Sequence, residues 1–336
     1  MNILLVRLGA LGDIVHALPV AAGLRAHLPG AQIDWLVDVR HAKLLEMVPA
    51  IDRVVAVDSR SVAGLFAAVR QLRRGAYDAA VDLQGLVKSA ALARFSGADR
   101  VVGFPRALLR EKAASLFYSE RCDAPAGPHV LDKNLASLSA FGIDDRSRRF
   151  PIAVPESAAS ATVAARVTAG GLAGYALMNP SGGWPNKRWP TERFGEVAKS
   201  LADRHRLLPV VLWGPGEEVL AQRIADTSYG AAVLAPPTGV GDVLALARGA
   251  RLVISGDTGP LHLAAAVGAP IVAIFGPTDP RRNGPWSASD ISLSRFGECL
   301  CHYRRRCRRS RPCIDDISAE DVSGAIDRRL AVDDHA

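Results

Sequence analysis

The chain has 336 residues, of which 49% are hydrophobic and 22% are charged. This composition matches a globular protein and excludes a disordered chain or a coiled coil, and the length favours two domains. Apolar runs are too short for a membrane span, and the first residues lack the basic region of a signal peptide. We therefore expect a cytoplasmic protein.

The positive charge is concentrated near the C-terminus. Of a net charge of +7, six charges come from Arg304, Arg305, Arg306, Arg308, Arg309 and Arg311. Such a cluster suits an anionic partner, such as phosphorylated lipid, a membrane surface or nucleic acid. A solvated arginine-rich loop would explain it equally well.

Short apolar runs alternate with longer helical patterns, which is typical of parallel sheets covered by helices. The predicted strands are residues 2–8, 32–37, 53–57, 79–82, 100–103, 175–179, 208–213, 232–235, 252–255 and 271–275. The pattern therefore predicts an α/β protein with two Rossmann-like domains, at 1–155 and 173–336. A segment rich in Ala, Gly and Thr predicts a linker near 156–172, and residues 319–330 are predicted as a helix that packs back on one domain.

The first predicted strand leads into a glycine-containing turn and a helical pattern. Gly9, Gly12 and Asp13 lie in this turn, at the carboxyl end of the strand, where ligands bind in open α/β sheets. Asp13 fits either a helix cap or a general base. A dinucleotide fingerprint would need a third glycine, and the turn has only Gly-x-x-Gly.

A second turn follows the predicted strand 252–255. Asp257, Thr258 and Gly259 precede a helical pattern that contains His262, and backbone N–H groups at such a turn bind anions. The same residues would also suit a well-capped, buried helix. The Asp-Thr-Gly triplet of aspartic proteases is excluded, because their dyad needs two such carboxylates and this triplet occurs once.

Two more loops end predicted strands of the second half. Ser181, Gly182 and Gly183 would admit a phosphate that Lys187 neutralises, although Lys187 would equally suit a surface. After the next strand, Glu217 and Glu218 would bind sugar hydroxyls or cap a helix. Several such loops in one domain indicate a nucleoside diphosphate, and the absence of an Asp-x-Asp triplet argues against a metal clamp.

These residues resemble glycosyltransferase family 9, the ADP-heptose:lipopolysaccharide heptosyltransferases, over nearly the whole chain. The matching motifs are residues 3–7 (ILLVR) with Gly12-Asp13, 77–89 (YDAAVDLQGLVKS), 187–190 (KRWP), 255–262 (SGDTGPLH) and 276–280 (GPTDP). Residues 82–89 and 111–118 look most like the type I enzymes, which add the first heptose to Kdo on lipid A. The resemblance implies a GT-B fold, with two Rossmann-like domains facing across a cleft.

The resemblance also implies roles for individual residues. Asp13 would be the catalytic base, Lys187 would help catalysis by holding the diphosphate, and no metal or other cofactor would be required. Binding of the donor, ADP-heptose, would involve Ser181, Gly182, Gly183, Glu217 or Glu218, Asp257, Thr258, Gly259 and His262. Binding of the anionic lipid A and Kdo acceptor would involve Gly12, Arg60, Lys88 and Arg110.

A cysteine-rich segment departs from the type I pattern. Cys299, Cys301, Cys307 and Cys313 resemble a segment of other family members, including type II enzymes. Structural thiols, a zinc site with His302 as a further ligand, and disulfides are the alternatives.

Taken with the resemblance, the sequence predicts an inverting heptosyltransferase that is a monomer, lies at the inner face of the cytoplasmic membrane and has no nucleic-acid partner. Three alternatives remain: a type II-like enzyme, another family 9 transferase with a different sugar or acceptor, and a non-catalytic module that binds anionic lipid.

Overall fold

The computed structural model describes residues 1–124, 129–307 and 309–333. The chain divides into two compact units, Met1–Ala153 and Val154–Ala336. Each unit contains a six-stranded sheet whose strands are all parallel. The predicted α/β class, with two Rossmann-like domains, is confirmed.

The sheet of the first unit has the strand order β3-β2-β1-β4-β5-β6. Its strands are β1 (Asn2–Val6), β2 (Gln32–Asp38), β3 (Arg53–Val57), β4 (Ala79–Asp82), β5 (Arg100–Gly103) and β6 (Glu120–Arg121). The helices are α1 (Leu11–Val15), α2 (Leu18–His27), α3 (Ala42–Leu45), α4 (Val62–Leu72), α5 (Val87–Phe95) and α6 (Val130–Leu135). Short 3-10 helices include Arg106–Leu108, Lys112–Phe117 and Ala136–Phe141.

The second sheet has the order β12-β11-β10-β7-β8-β9. Its strands are β7 (Gly174–Asn179), β8 (Leu207–Val211), β9 (Val233–Leu234), β10 (Leu252–Gly256), β11 (Ile271–Phe275) and β12 (Ile291–Ser294). The helices are α7 (Ala158–Ala169), α8 (Thr191–His205), α9 (Glu218–Thr227), α10 (Val240–Gly249), α11 (Gly259–Ala266), α12 (Pro280–Asn283) and α13 (Ala319–Asp333).

The central strands are buried along almost their whole length. Every residue of β11 is buried, as are four of the five residues of β1. Continuous apolar runs of this kind form where helices cover both faces of a parallel sheet, because alternate side chains enter two separate cores. Two apolar clusters accordingly flank the second sheet.

The edges of both sheets differ from the sequence prediction. The edge strands β6 and β12 were not predicted, since β6 has only two residues and β12 alternates apolar residues with serine. The first strand ends at Val6 rather than at residue 8. On the side that faces β4, the Leu8 N–H donates to the Gln84 side chain, 2.8 Å away, rather than to a backbone carbonyl.

The linker predicted at 156–172 is wrong for most of its length. Helix α7 occupies Ala158–Ala169 and begins at Ser157, whose side chain accepts a hydrogen bond from the Ser160 N–H. Ala159 and Val163 pack into the core of the second unit. The small residues of this segment therefore form a helix that belongs to the second unit. The boundary between the units lies earlier in the chain, between Ala153 and Val154.

The C-terminal helix α13 packs on the second unit, as predicted. Val322, Ala325, Ile326 and Leu330 join the same core as residues of α8. Within the part of the chain that the structure describes, no helix combines the length and apolar character needed to cross a membrane.

Candidate active site

Each sheet has one point where the strand order reverses. In the first unit β1 and β4 are neighbours, and in the second unit β7 and β10 are neighbours. The loops that leave two such strands turn in opposite directions and open a crevice at the carboxyl edge, where ligands bind in this class of fold. Both crevices hold residues that the sequence predicted as functional.

In the first unit, Asp13 lies at the loop that leaves β1. Its carboxylate accepts hydrogen bonds from the Ala10 backbone N–H at 3.2 Å and pairs with the Arg7 guanidinium at 2.8 Å. The first contact is a cap of the short helix α1, so capping is one role of Asp13. The side chain nevertheless remains 37% exposed, so an acceptor hydroxyl can approach it.

Arg7 is fixed by the neighbouring loop. Its side chain is buried and donates to the Leu83 carbonyl at 2.5 Å. That loop is held in turn by Asp82, which accepts hydrogen bonds from the Gln84 and Gly85 N–H groups. The cation beside Asp13 therefore has a position set by the fold.

In the second unit, Lys187 and Asp257 form a buried ion pair. The Lys187 ammonium contacts the Asp257 carboxylate and lies 3.4 Å from the Asp257 carbonyl oxygen. It also lies 4.6 Å from the centre of the Trp184 ring. Only 14% of the Lys187 side chain is exposed, so the interpretation of Lys187 as a surface charge is wrong.

Asp257 is held from three sides. Besides Lys187, the Asn283 side-chain amide donates to its carboxylate at 2.5 Å, and His262 Nε2 lies 3.4 Å away. Burial raises the pKa of Asp257, but the hydrogen bond from His262 and the charge of Lys187 outweigh it and lower the pKa well below the ordinary value of 3.8. Asp257 is therefore an anion that orients Lys187 and His262.

The start of α11 completes this crevice. Thr258 is the N-cap residue and Gly259 the first helical residue, so the free backbone N–H groups of the first turn lie here. The Asn179 side-chain amide donates to Ser255 and Thr258 at 2.9 and 2.7 Å. These bonds join the loops after β7 and β10 around a helix terminus suited to an anion.

The loop after β8 reaches the same edge through Glu217. Its carboxylate accepts a hydrogen bond from the Ser181 hydroxyl at 2.5 Å and one from the Gly214 N–H at 3.1 Å. Glu218 instead lies exposed in the first turn of α9. The structure thus joins Glu217, not Glu218, to the loop of Ser181.

The two adjacent glycines of the Ser181 loop differ. Arg188 donates to the Gly182 carbonyl at 2.9 Å, and a side chain at position 182 would lie 2.9 Å from Arg188. Around Gly183 the space where a side chain would extend is open. Gly183 is therefore the position where the loop leaves room for a bound group.

The acceptor candidates lie at the first crevice and around the start of α5. Gly12 lies in α1 beside Asp13. The Lys88 ammonium donates to the Ser59 carbonyl at 2.7 Å, next to the exposed Arg60. Arg110, also exposed, precedes Glu111, whose carboxylate accepts from the Val87 N–H at 2.7 Å. The structure therefore brings the three basic residues to neighbouring loops.

The four clustered cysteines pack together, with Cys299, Cys301 and Cys313 buried and Cys307 half-buried. All are free, and the Cys301 thiol lies 3.3 Å from the Cys307 sulfur. Burial and the contact with Cys299 raise the pKa of Cys313 to about 12. The predicted spare ligand, His302, stacks on Phe296 at 4.2 Å. Over residues 1–124, 129–307 and 309–333, no three His, Cys, Asp or Glu side chains are arranged to hold a metal ion.

The arginine cluster is partly neutralised. Asp316 pairs with Arg309 at 2.9 Å and with Arg311 at 2.7 Å. The side chains of Arg304, Arg305 and Arg306 are exposed, and Arg308 lies outside the described residues.

Three residues of the two crevices were not assigned from the sequence. Arg7 follows the apolar run of the first strand, and Asn179 ends the strand β7. A polar residue at the end of an apolar run can be recognised in the sequence. Asn283 reaches Asp257 from α12, 26 residues further along the chain. Nothing in the local pattern around Asn283 indicates this contact.

The chain is similar to known proteins over most of its length. Residues 65–311 match the model of glycosyltransferase family 9 (heptosyltransferase). Lipopolysaccharide heptosyltransferase 1 of Pseudomonas aeruginosa is 30% identical over 319 residues, covering 91% of this chain and 87% of the relative.

Solved structures give the same result. The structure of the Escherichia coli heptosyltransferase WaaC with ADP superposes with a TM-score of 0.77 at 27% identity, covering 98% of this chain and all of the other. The WaaC structure with ADP-2-deoxy-2-fluoro heptose has a TM-score of 0.75 at 26% identity, covering 97% and 99%. With both its sequence and its GT-B fold matched, the chain belongs to glycosyltransferase family 9, the heptosyltransferases.

Proposed function

We propose that this glycosyltransferase moves a heptose from ADP-heptose to the Kdo residue of the lipid A inner core of lipopolysaccharide, with inversion at the anomeric carbon. The observation that carries the proposal is the buried arrangement of Lys187, Asp257 and His262 at the start of α11. Relatives named lipopolysaccharide heptosyltransferase 1, and a relative's structure with ADP, support the choice of donor and acceptor.

The second unit binds the donor in this proposal. An ammonium group has three N–H donors, so Lys187 can hold Asp257 and also donate to a diphosphate oxygen. The free N–H groups of α11, beginning at Gly259, face the same negative charge. Glu217 accepts hydrogen bonds from the donor's ribose hydroxyls, and Ser181 and Gly183 line the phosphate path.

The first unit supplies the base. Asp13 accepts the proton of the Kdo hydroxyl while that oxygen attacks the anomeric carbon and the bond to ADP breaks. General-base help of this kind contributes about 10² to 10⁴ in rate. Negative charge grows on the departing ADP, and Lys187 with the α11 N-terminus stabilises it without a reorganisation of the site.

The reaction is proposed to need no metal ion, since a fixed lysine and a helix terminus supply the positive charge that a metal clamp supplies elsewhere. We place the enzyme, as a monomer, at the inner face of the cytoplasmic membrane, where Arg60, Lys88 and Arg110 hold the acceptor's anionic groups.

Mass spectrometry of the products tests this function. A panel of ADP- and UDP-sugars is offered with lipopolysaccharide that ends either at Kdo or at the first heptose, with and without a chelator. We expect one heptose added from ADP-heptose to the Kdo-terminated acceptor, with the chelator present or absent. Transfer only to the heptose-terminated acceptor would show a type II-like enzyme, and lipid binding without transfer would show a non-catalytic module.

A further inference from the structure

Three helical segments form one layer on the first unit's sheet. These are α4, α5 and the 3-10 helix Lys112–Phe117. At one end of the layer, Lys88 of α5 donates to the Ser59 carbonyl before α4, and Glu111 accepts from the first N–H of α5. At the other end, Arg73 donates to the Phe95 carbonyl at 3.2 Å. Contacts at both ends therefore connect α4 with α5, and the 3-10 helix packs beside α5.

The outer surface of this layer carries large apolar side chains. Val62 and Phe66, one turn apart on α4, are 70% and 69% exposed, and Leu116 of the 3-10 helix is 84% exposed. Phe95 of α5 is half exposed and packs edge-to-face on Phe117 at 6.4 Å. Apolar groups concentrated on one face mark an interaction surface rather than scattered exposure.

The same segments are strongly basic. Residues 58–75, 86–95 and 109–118, which we call the basic apolar layer, contain two acids, Asp58 and Glu111, and eight basic residues. The basic residues are all exposed and are Arg60, Arg70, Arg73, Arg74, Lys88, Arg94, Arg110 and Lys112. The net charge of +6 is nearly the net charge of the whole chain.

We infer that the basic apolar layer docks on an anionic lipid bilayer, with Phe66 and Leu116 inserted among the lipids and the arginines at the headgroups. A surface that combines exposed apolar groups with Lys and Arg matches the boundary between headgroups and acyl chains. A second copy of this chain would bring the same +6 charge against itself, so charge complementarity favours the bilayer over a dimer.

The position of the acceptor candidates agrees with this docking. Arg60, Lys88 and Arg110 lie at the end of the layer where α4 and α5 begin, at the carboxyl edge of the sheet. A bilayer on this layer would present its headgroups beside those residues. The inference rests on the proposed function for the lipid nature of the acceptor, and the binding of vesicles tests it separately.

Co-sedimentation with vesicles is the direct test. The variant Phe66→Ser/Leu116→Ser removes apolar groups that are already exposed, so its fold should be unchanged. We expect wild type to pellet with vesicles of phosphatidylethanolamine and phosphatidylglycerol, and the variant to bind about tenfold or more weakly. The matched control, Val219→Ser/Tyr229→Ser, removes two exposed apolar side chains of the second unit and should bind as wild type does.

Depth of insertion gives a second measurement. Tryptophan placed by Phe66→Trp should be quenched by brominated lipids, whereas tryptophan placed by Val219→Trp should not. Equal pelleting of wild type and the serine variant, or no quenching at position 66, would overturn the inference. A wild-type dimer that the serine variant abolishes, without vesicle binding, would assign the layer to a second copy.

Transfer to a soluble, delipidated acceptor separates the inference from the proposed function. The Phe66→Ser/Leu116→Ser variant should transfer heptose to that acceptor at the wild-type rate. Vesicle binding without any transfer by wild type would contradict the proposed function and leave the docking surface standing. Transfer by wild type without vesicle binding would support the proposed function and overturn the docking surface.

Discussion

The two sheets place the same pair of charges at the same topological point, but they bury it differently. At the β1 and β4 junction Arg7 is buried while the side chain of Asp13 is 37% exposed. At the β7 and β10 junction Lys187 pairs with Asp257, whose side chain is only 6% exposed. In both cases a basic residue from the loop or strand beside the crevice meets a carboxylate at a helix start.

The difference in burial suits the two carboxylates to different roles, which are proton exchange with a substrate and the positioning of neighbouring side chains. A carboxylate that exchanges a proton with substrate must be reached by that substrate, and Asp13 meets this condition. A carboxylate held by Lys187, His262 and Asn283 cannot easily change its contacts, so Asp257 is suited to fixing other groups. In the proposed reaction, the sheet topology therefore accounts for where the two carboxylates lie, and their burial accounts for the reacting role of Asp13 and the positioning role of Asp257.

The largest effect is expected on stability. Asp257→Ala leaves the Lys187 ammonium buried without its carboxylate, which costs about 3 to 5 kcal/mol in the free energy of unfolding. Asp13→Ala is the matched variant at the pair whose carboxylate is exposed, and it should cost less, about 1 to 2 kcal/mol, because Arg7 keeps its hydrogen bond to the Leu83 carbonyl and loss of the cap is the main change. Urea unfolding followed by tryptophan fluorescence checks both. Similar losses for the two variants would remove the contrast.

The next effect is on the donor. Lys187→Ala should weaken binding of ADP-heptose about 10- to 100-fold and slow transfer, because a charged hydrogen bond to the diphosphate is lost. Lys199→Ala is the control, since Lys199 lies exposed on α8 and pairs with Asp203. Calorimetry with ADP and initial rates of transfer measure the two quantities. Unchanged ADP affinity in a folded Lys187→Ala protein would take Lys187 out of the donor site.

Acid should weaken the buried pair in a defined direction. Burial raises the pKa of Asp257, but His262 and Lys187 lower it by a larger amount. The pKa in the folded protein therefore lies below the ordinary value of 3.8. Its contribution to stability is therefore present above that ordinary value and is lost as the pH falls toward the folded pKa. Below about pH 4 wild type should lose up to about 1.4 kcal/mol per pH unit more than Asp257→Asn. Parallel unfolding curves for the two proteins would refute this.

The smallest effect distinguishes two adjacent acids. Glu217→Gln should raise the KM for ADP-heptose about tenfold or less, because the hydrogen-bond acceptor proposed for the donor's ribose is weakened. Glu218→Gln alters an exposed residue at the start of α9 and should leave the KM unchanged. Steady-state kinetics on both variants decide between them, and a larger effect at position 218 would reverse the assignment.

The strands other than β6 and β12, and most crevice residues, could be predicted because they depend on local signals. An apolar run such as Ile271–Phe275 forms a buried parallel strand, and the turn that follows a strand lies at the carboxyl edge whatever the rest of the chain does. The sequence could not decide whether Lys187 binds a phosphate or is a surface charge, because its partner Asp257 is 70 residues away and only the folded sheet brings them together.

Other features could not be predicted for the same physical reason. The choice of Glu217 over Glu218 depends on the direction in which α9 begins, and that direction is set by packing. The partial neutralisation of the arginine cluster depends on Asp316, which lies beyond the cluster in sequence. The linker prediction failed because small residues also form helices when a core is available to cover them.

The central claim is that Asp13 reacts while Asp257 positions, and single-turnover transfer by Asp13→Asn tests it most directly. This substitution keeps the shape of the side chain but removes its negative charge, and with it both the ability to accept a proton and the ion pair with Arg7. With saturating ADP-heptose and a Kdo-terminated acceptor, we predict a rate at least about 100-fold below wild type, and an unchanged affinity for ADP measured on the same protein. A rate within a few-fold of wild type, or a matching loss of ADP affinity, would contradict the claim.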